Sequence, residues 1–210
     1  MSEVRTVRLS EAAKYVKLHF RSKRPAMLWG QPGIGKSELI ESIAEQYEAQ
    51  GKTVKLIDVR LPLWEPTDIK GIPYYNSKEN TMAWASPAEL PKMGDSHDII
   101  ILFLDELNGA APAVQAAAYQ LVLNRRVGEY VLPENCVMVG AGNRESDKGV
   151  TYRMPKPLAN RFVHYEIRPS FTDWSNWAIS KGIHPDVVGY LTFKKDDLNN
   201  FDPKSPDKAF

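Results

Sequence analysis

Apolar residues in this chain follow two alternating patterns, and the alternation predicts the architecture. Short, predominantly apolar runs at 26–29, 54–59, 99–104, 137–141 and 162–167 read as buried strands. Between them apolar positions recur at helical spacing. Ala13 and Val16 mark a helix over 11–20 with Ser10 as its candidate N-cap. Leu39, Ile40, Ile43, Ala44 and Tyr47 mark a second that ends near Gly51, and Val114, Ala117, Ala118, Leu121 and Val122 a third that opens at Pro112. Strand, glycine-rich loop, helix and strand in succession across 26–59 form a βαβ unit, which requires a parallel sheet.

Two stretches depart from this rhythm. Between 60 and 94 stand Pro62, Pro66, Pro73, Pro87 and Pro91, interleaved with Trp64, Tyr74, Tyr75 and Trp84. That many prolines forbid one long helix and predict short turns and a hairpin, with the aromatics packing the segment together. A second hairpin is expected around Gly128. From Thr172 onward the pattern is helical, over 172–181 and 185–193, and the last 17 residues are polar.

Composition narrows the function. The chain has 210 residues, enough for one domain or one domain and the start of another, and 27 Lys+Arg nearly balance 26 Asp+Glu. No global field therefore draws it to nucleic acid or an anionic membrane, which speaks against nucleic acid as a partner. One cysteine, Cys136, excludes an internal disulfide and Cys-based metal frameworks, and the four histidines lack metal-ligand spacing. No apolar run approaches the roughly 20 residues that cross a bilayer, and no apolar leader follows Met1. A soluble cytoplasmic protein is expected.

The loop after the first apolar run carries the chemistry. Gly30, Gln31, Pro32, Gly33, Ile34, Gly35, Lys36 and Ser37 match G-x-x-x-x-G-K-[ST] in full, with Glu38 next. Such glycines let backbone N–H groups turn toward phosphate oxygens, the lysine meets the terminal phosphates, and the serine hydroxyl ligates Mg²⁺. The following helix aims its positive end at the same anion. The 99–104 run ends at Asp105 and Glu106, one carboxylate suited to Mg²⁺ and the next to polarising a water. The 137–141 run leads to Asn143, whose neutral amide can hold both that water and a phosphate oxygen. Arg161 precedes the last run, where its guanidinium projects outward and can clamp a transferring phosphoryl group.

These residues in this order resemble the AAA+ ATPases: Walker A at 30–37, Walker B at 99–106, sensor 1 at Asn143 and an arginine finger at Arg161. Glu65-Pro66-Thr67-Asp68-Ile69-Lys70-Gly71, Trp84-Ala85-Ser86-Pro87 and 154–162 resemble the MoxR-type, dynein-related branch. The resemblance implies an α/β fold, a P-loop αβα sandwich with a five-stranded parallel sheet. It implies a nucleotide domain at 1–168 with an insert at about 60–94, and the start of a helical lid at 169–210. It further implies ATP and Mg²⁺ as cofactors and a homo-oligomeric ring, usually hexameric, in which Arg161 reaches the neighbour's ATP. The client would be a protein, with von Willebrand A domain proteins among the candidates. No arginine in the lid segment matches the family's sensor 2, so the chain is expected to have a minimal lid or to be part of a longer protein.

Two other classes fit part of the sequence. A monomeric P-loop NTPase or small-molecule kinase needs neither Glu106, Asn143 nor Arg161. A non-hydrolysing nucleotide-binding module would fit the absent sensor 2 but not the intact Lys36, Asp105 and Glu106.

Overall fold

A computed structural model describes residues 4–144 and 151–199. Six strands form one wholly parallel sheet in the order β1 (Arg5–Val7), β10 (Val163–Ile167), β2 (Ala26–Trp29), β9 (Cys136–Gly142), β6 (Ile99–Asp105) and β3 (Val54–Arg60). Five of these are the apolar runs of the sequence. The sixth, β1, is an addition to the expected five-stranded sheet: a three-residue edge strand pairing Arg5, Thr6 and Val7 with Tyr165, Glu166 and Ile167.

Alternation along each strand divides the core into two layers. Ile100, Leu102 and Leu104 of β6 face α4 (Pro112–Asn124) together with Met27 and Met138, while Ile101 and Phe103 face α1 (Leu9–Ser22) and α2 (Lys36–Glu48) together with Leu28 and Val139. Both faces of β6 are thus buried, as a central strand with helices on either side requires. Every predicted apolar position of α4 is buried. The first helix starts earlier than expected. Arg8, not Ser10, is its N-cap, because Arg8 N–H is taken by Glu11 Oε2 at 2.9 Å in a capping-box arrangement. Ser10 instead donates N–H and Oγ–H to Asp173.

The proline-rich stretch forms a 3-10 turn at Leu61–Leu63, the short helix α3 (Pro66–Lys70), and an antiparallel hairpin of β4 (Ile72–Asn76) and β5 (Thr81–Ala85). Trp64 packs on the core, but Tyr74 and Tyr75 are 50% and 67% exposed, so packing does not account for all the aromatics. The second hairpin, β7 (Arg126–Val127) with β8 (Tyr130–Val131), turns at Gly128 as expected. A one-turn helix, α5 (Lys156–Ala159), precedes β10, and α6 (Phe171–Ser180) and α7 (Pro185–Phe193) follow it. Among the described residues no helix is long and apolar enough to cross a membrane. Residues 200–210 of the expected lid segment lie outside the described residues.

Candidate active site

In a parallel sheet the C-terminal strand ends form one rim, where ligands gather. Here β2, β6 and β9 deliver the phosphate loop, Asp105-Glu106 and Asn143 to it side by side, because these three strands are neighbours. The loop closes on α2 through Gly35, the helix N-cap, at φ 94°, a left-handed conformation that side chains resist.

Lys36 is buried, and its Nζ donates to Gly30 O at 2.7 Å, Gln31 O at 3.0 Å and Asn143 Oδ1 at 3.0 Å. The ammonium thus bridges the loop backbone to the end of β9. Ser37 Oγ donates to Asp105 Oδ2 at 3.3 Å. Hydroxyl and carboxylate oxygens together are the hard donor set that Mg²⁺ prefers, so these residues fit that ion. A further carboxylate stands close: the Asp58 carboxyl on β3 lies above its ordinary range, first from burial and then from Asp105, with Arg60 opposing. The sequence gives no sign of Asp58, since one acid in a strand carries no motif.

Glu106 turns the chain out of β6 at φ 51°, ψ 36°, an uncommon conformation for a side-chain-bearing residue, and its N–H is held by Asp105 Oδ1 at 2.8 Å. The kink leaves its carboxylate exposed on a cavity of about 400 Å³ shared with Asn108, Asn143 and Tyr152. Asn108 is a second residue that sequence reasoning passed over. It sits at only 3% exposure and exchanges two hydrogen bonds with the Asn143 main chain.

The model for the ATPase family associated with various cellular activities (AAA) matches residues 26–164, from the start of β2 into β10. The chain belongs to this family. This AAA ATPase is 26% identical over 167 residues to Protein MoxR of Methylorubrum extorquens, across 76% of this chain and 43% of that protein. It is 28% identical over 179 residues to Midasin of Giardia intestinalis, across 81% of this chain and 4% of that protein. It therefore spans less than half the length of either relative. The family match and the MoxR relative together make it a MoxR-type AAA+ ATPase. A crystal structure of a proposed ATPase from Cytophaga hutchinsonii shares the fold, with a TM-score of 0.52 at 15% identity over 92% of this chain and 52% of the other.

Two predicted site residues of this AAA ATPase stand apart from the cluster. Glu38 turns its carboxylate toward α6, where Trp177 Nε1–H donates to it at 2.8 Å and Lys181 lies 3.5 Å away. Arg161 is exposed and has no ion pair among the described residues. The register Val163↔Ala26 sets it at the beginning of β2, at the opposite end of the sheet from Gly30. Four strand residues separate those levels, roughly 13 Å at about 3.3 Å per residue. Asn199 comes closer, donating from Nδ2 to Gln31 Oε1 at 3.0 Å on the outer side of the phosphate loop.

Proposed function

We propose that the chain hydrolyses ATP at an interface between copies of itself. The observation that carries this reading is the separation of Arg161 from an otherwise assembled site. Lys36, Ser37, Asp105, Glu106 and Asn143 share one rim, whereas Arg161 lies exposed at the other end of the sheet. An arginine that is to act on ATP from there must act on a neighbour's.

The roles follow from placement. The loop backbone of residues 30–35 and the α2 N-terminus receive the phosphates, and Lys36 exchanges its loop carbonyls for phosphate oxygens. Ser37 and Asp105 would hold Mg²⁺, which when bound neutralises the phosphate charge. Glu106 accepts the proton of the attacking water, which Asn143 orients toward the terminal phosphorus. Arg161 of a neighbouring copy stabilises the charge on the departing phosphoryl group. Family membership supports assembly as a ring, and we read it as hexameric.

Residues 1–168 constitute the nucleotide domain in this reading, with 60–94 its insert. Residues 169–210 begin a helical lid. The contacts of Trp177 with Glu38 and of Asn199 with Gln31 support that assignment, since they lean the C-terminal helices on the phosphate loop and its helix. Conformational work done with ATP would act on a protein client, for which von Willebrand A domain proteins are the first class to test, in the cytoplasm.

The test is ATP turnover per protomer across a wide protein concentration range, for wild type and Arg161→Ala. Specific activity that rises with concentration, and falls by 10³ or more in the variant, matches a shared site. Flat wild-type activity with an unaffected variant means that chemistry is complete within one chain, and the reading fails.

A further inference from the structure

Asn143 stands where the sheet runs out. Strand β6 pairs with β9 only as far as Leu104↔Gly140, so the ladder between the two strands stops short of the end of β9. Directly after β6 the chain kinks at Glu106 and enters the 3-10 turn Leu107–Gly109, which carries Asn108 into the gap. The Asn108 side chain then supplies what the ladder no longer does: Nδ2 donates to Asn143 O at 2.8 Å, and Oδ1 accepts from Asn143 N–H at 3.2 Å. One primary amide, with a donor and an acceptor side by side, reproduces the edge of a peptide strand. Few other side chains can do so.

The fit is close. A Cβ at Gly142 would collide with Asn108 Oδ1, so the residue before Asn143 must be bare for the amide to enter. The Asn108 main-chain carbonyl is engaged as well, accepting from Tyr152 N–H at 2.6 Å on the wall of the cavity shared with Glu106. On its other side Asn143 Oδ1 accepts from Lys36 Nζ. Buried Asn108 thus has both ends of its side-chain amide engaged, which favours one geometry over several.

From this arrangement we infer that Asn108 is a positioning residue for hydrolysis. It fixes the main chain of Asn143, and so aims the Asn143 amide at the space between Lys36 and Glu106. It touches no substrate itself. The inference rests on the proposed role of Asn143, and the experiment separates the two.

Steady-state ATP turnover is measured for wild type, Asn108→Ala, Asn143→Ala and the double variant, with affinity for a fluorescent ATP analogue and thermal unfolding alongside. A misaimed group costs on the order of 10–100-fold in kcat. Asn108→Ala should lose that much with KM and analogue affinity within threefold, and the double variant should be no slower than Asn143→Ala. Unchanged kcat in Asn108→Ala, or losses that multiply in the double variant, overturns the inference. If Asn108→Ala does not fold, Asn108→Asp decides. It keeps shape and acceptor but sets an oxygen against Asn143 O, so a folded Asn108→Asp protein with normal kcat is equally fatal. Normal turnover in Asn143→Ala removes the parent role, and this one with it.

Discussion

Lys36 Nζ and Asn143 Oδ1 lie 3.0 Å apart, so the phosphate-loop lysine and the amide at the end of β9 are hydrogen-bonded to each other. The two residues are 107 positions apart in sequence and meet because β2 and β9 are adjacent and parallel. Their loss should nevertheless look different. Lys36→Ala removes hydrogen bonds from a cation to phosphate, each class worth about 1.5–3 kcal/mol, or roughly 10–150-fold in affinity. Asn143→Ala should leave nucleotide affinity within a few-fold while kcat drops. Titration with a fluorescent nucleotide reads the difference, and equal affinities for wild type and Lys36→Ala would contradict the phosphate assignment.

Glu106 is held out of the strand by its left-handed backbone and the bond from its N–H to Asp105. Glu106→Gln keeps the side-chain shape and removes only the basicity. ATP binding should persist, and turnover should fall by about 10²–10⁴, the usual contribution of a positioned proton acceptor. Single-turnover kinetics with radiolabelled ATP checks this. Normal product formation would take Glu106 out of the chemistry.

Trp177 and Glu38 join α6 to the first turn of α2. Trp177→Phe deletes one hydrogen bond to a carboxylate and little volume, so the expected loss of stability is about 1–2 kcal/mol. Nucleotide affinity should stay within threefold if the Glu38 carboxylate serves α6 rather than ATP. A larger affinity change, measured on protein that melts normally, would return Glu38 to the nucleotide.

At the other end of the sheet Asp95 is gripped by the Lys55 ammonium at 2.9 Å, by the His97 ring and by His97 N–H. These contacts hold its carboxyl well below the usual carboxylate range. A depressed value means that the folded state favours the ionised form. The resulting stability is complete above about pH 4, the unfolded value, and drains away as pH falls further. Asp95→Asn should therefore melt below wild type at neutral pH, with the gap closing in acid. A gap that stays constant from pH 7 to pH 3 would show that the carboxylate charge is not the cause.

Much of this is legible in the amino-acid sequence, for physical reasons that can be named. Strands β2, β6 and β9 are buried on both faces and so read as apolar runs. The loop between β2 and α2 has to be glycine-rich to bend, and leaves a motif. Strand β1 left no such trace: Arg5, Thr6 and Val7 have one buried residue among them, and become a strand only because β10 offers a free edge. A serine before an apolar helix is a sound local capping signal, yet Ser10 does not cap, because Asp173, 163 residues away, takes both its N–H and its hydroxyl. Asn108 and Asp58 are lone polar residues without periodicity; their partners lie on other strands, so spacing could not reveal them.

The order of strands also leaves this sheet with two blunted edges. An open sheet ends in two strands with unsatisfied backbone groups, and long apolar edges invite other chains to add on. Here one edge, β1, is three residues long and starts with Arg5, and the other, β3, carries Lys55, Asp58 and Arg60 among its seven. An incoming strand would have to bring its own backbone against charges spaced two or three residues apart. Copies of this chain can therefore crowd together without their sheets fusing.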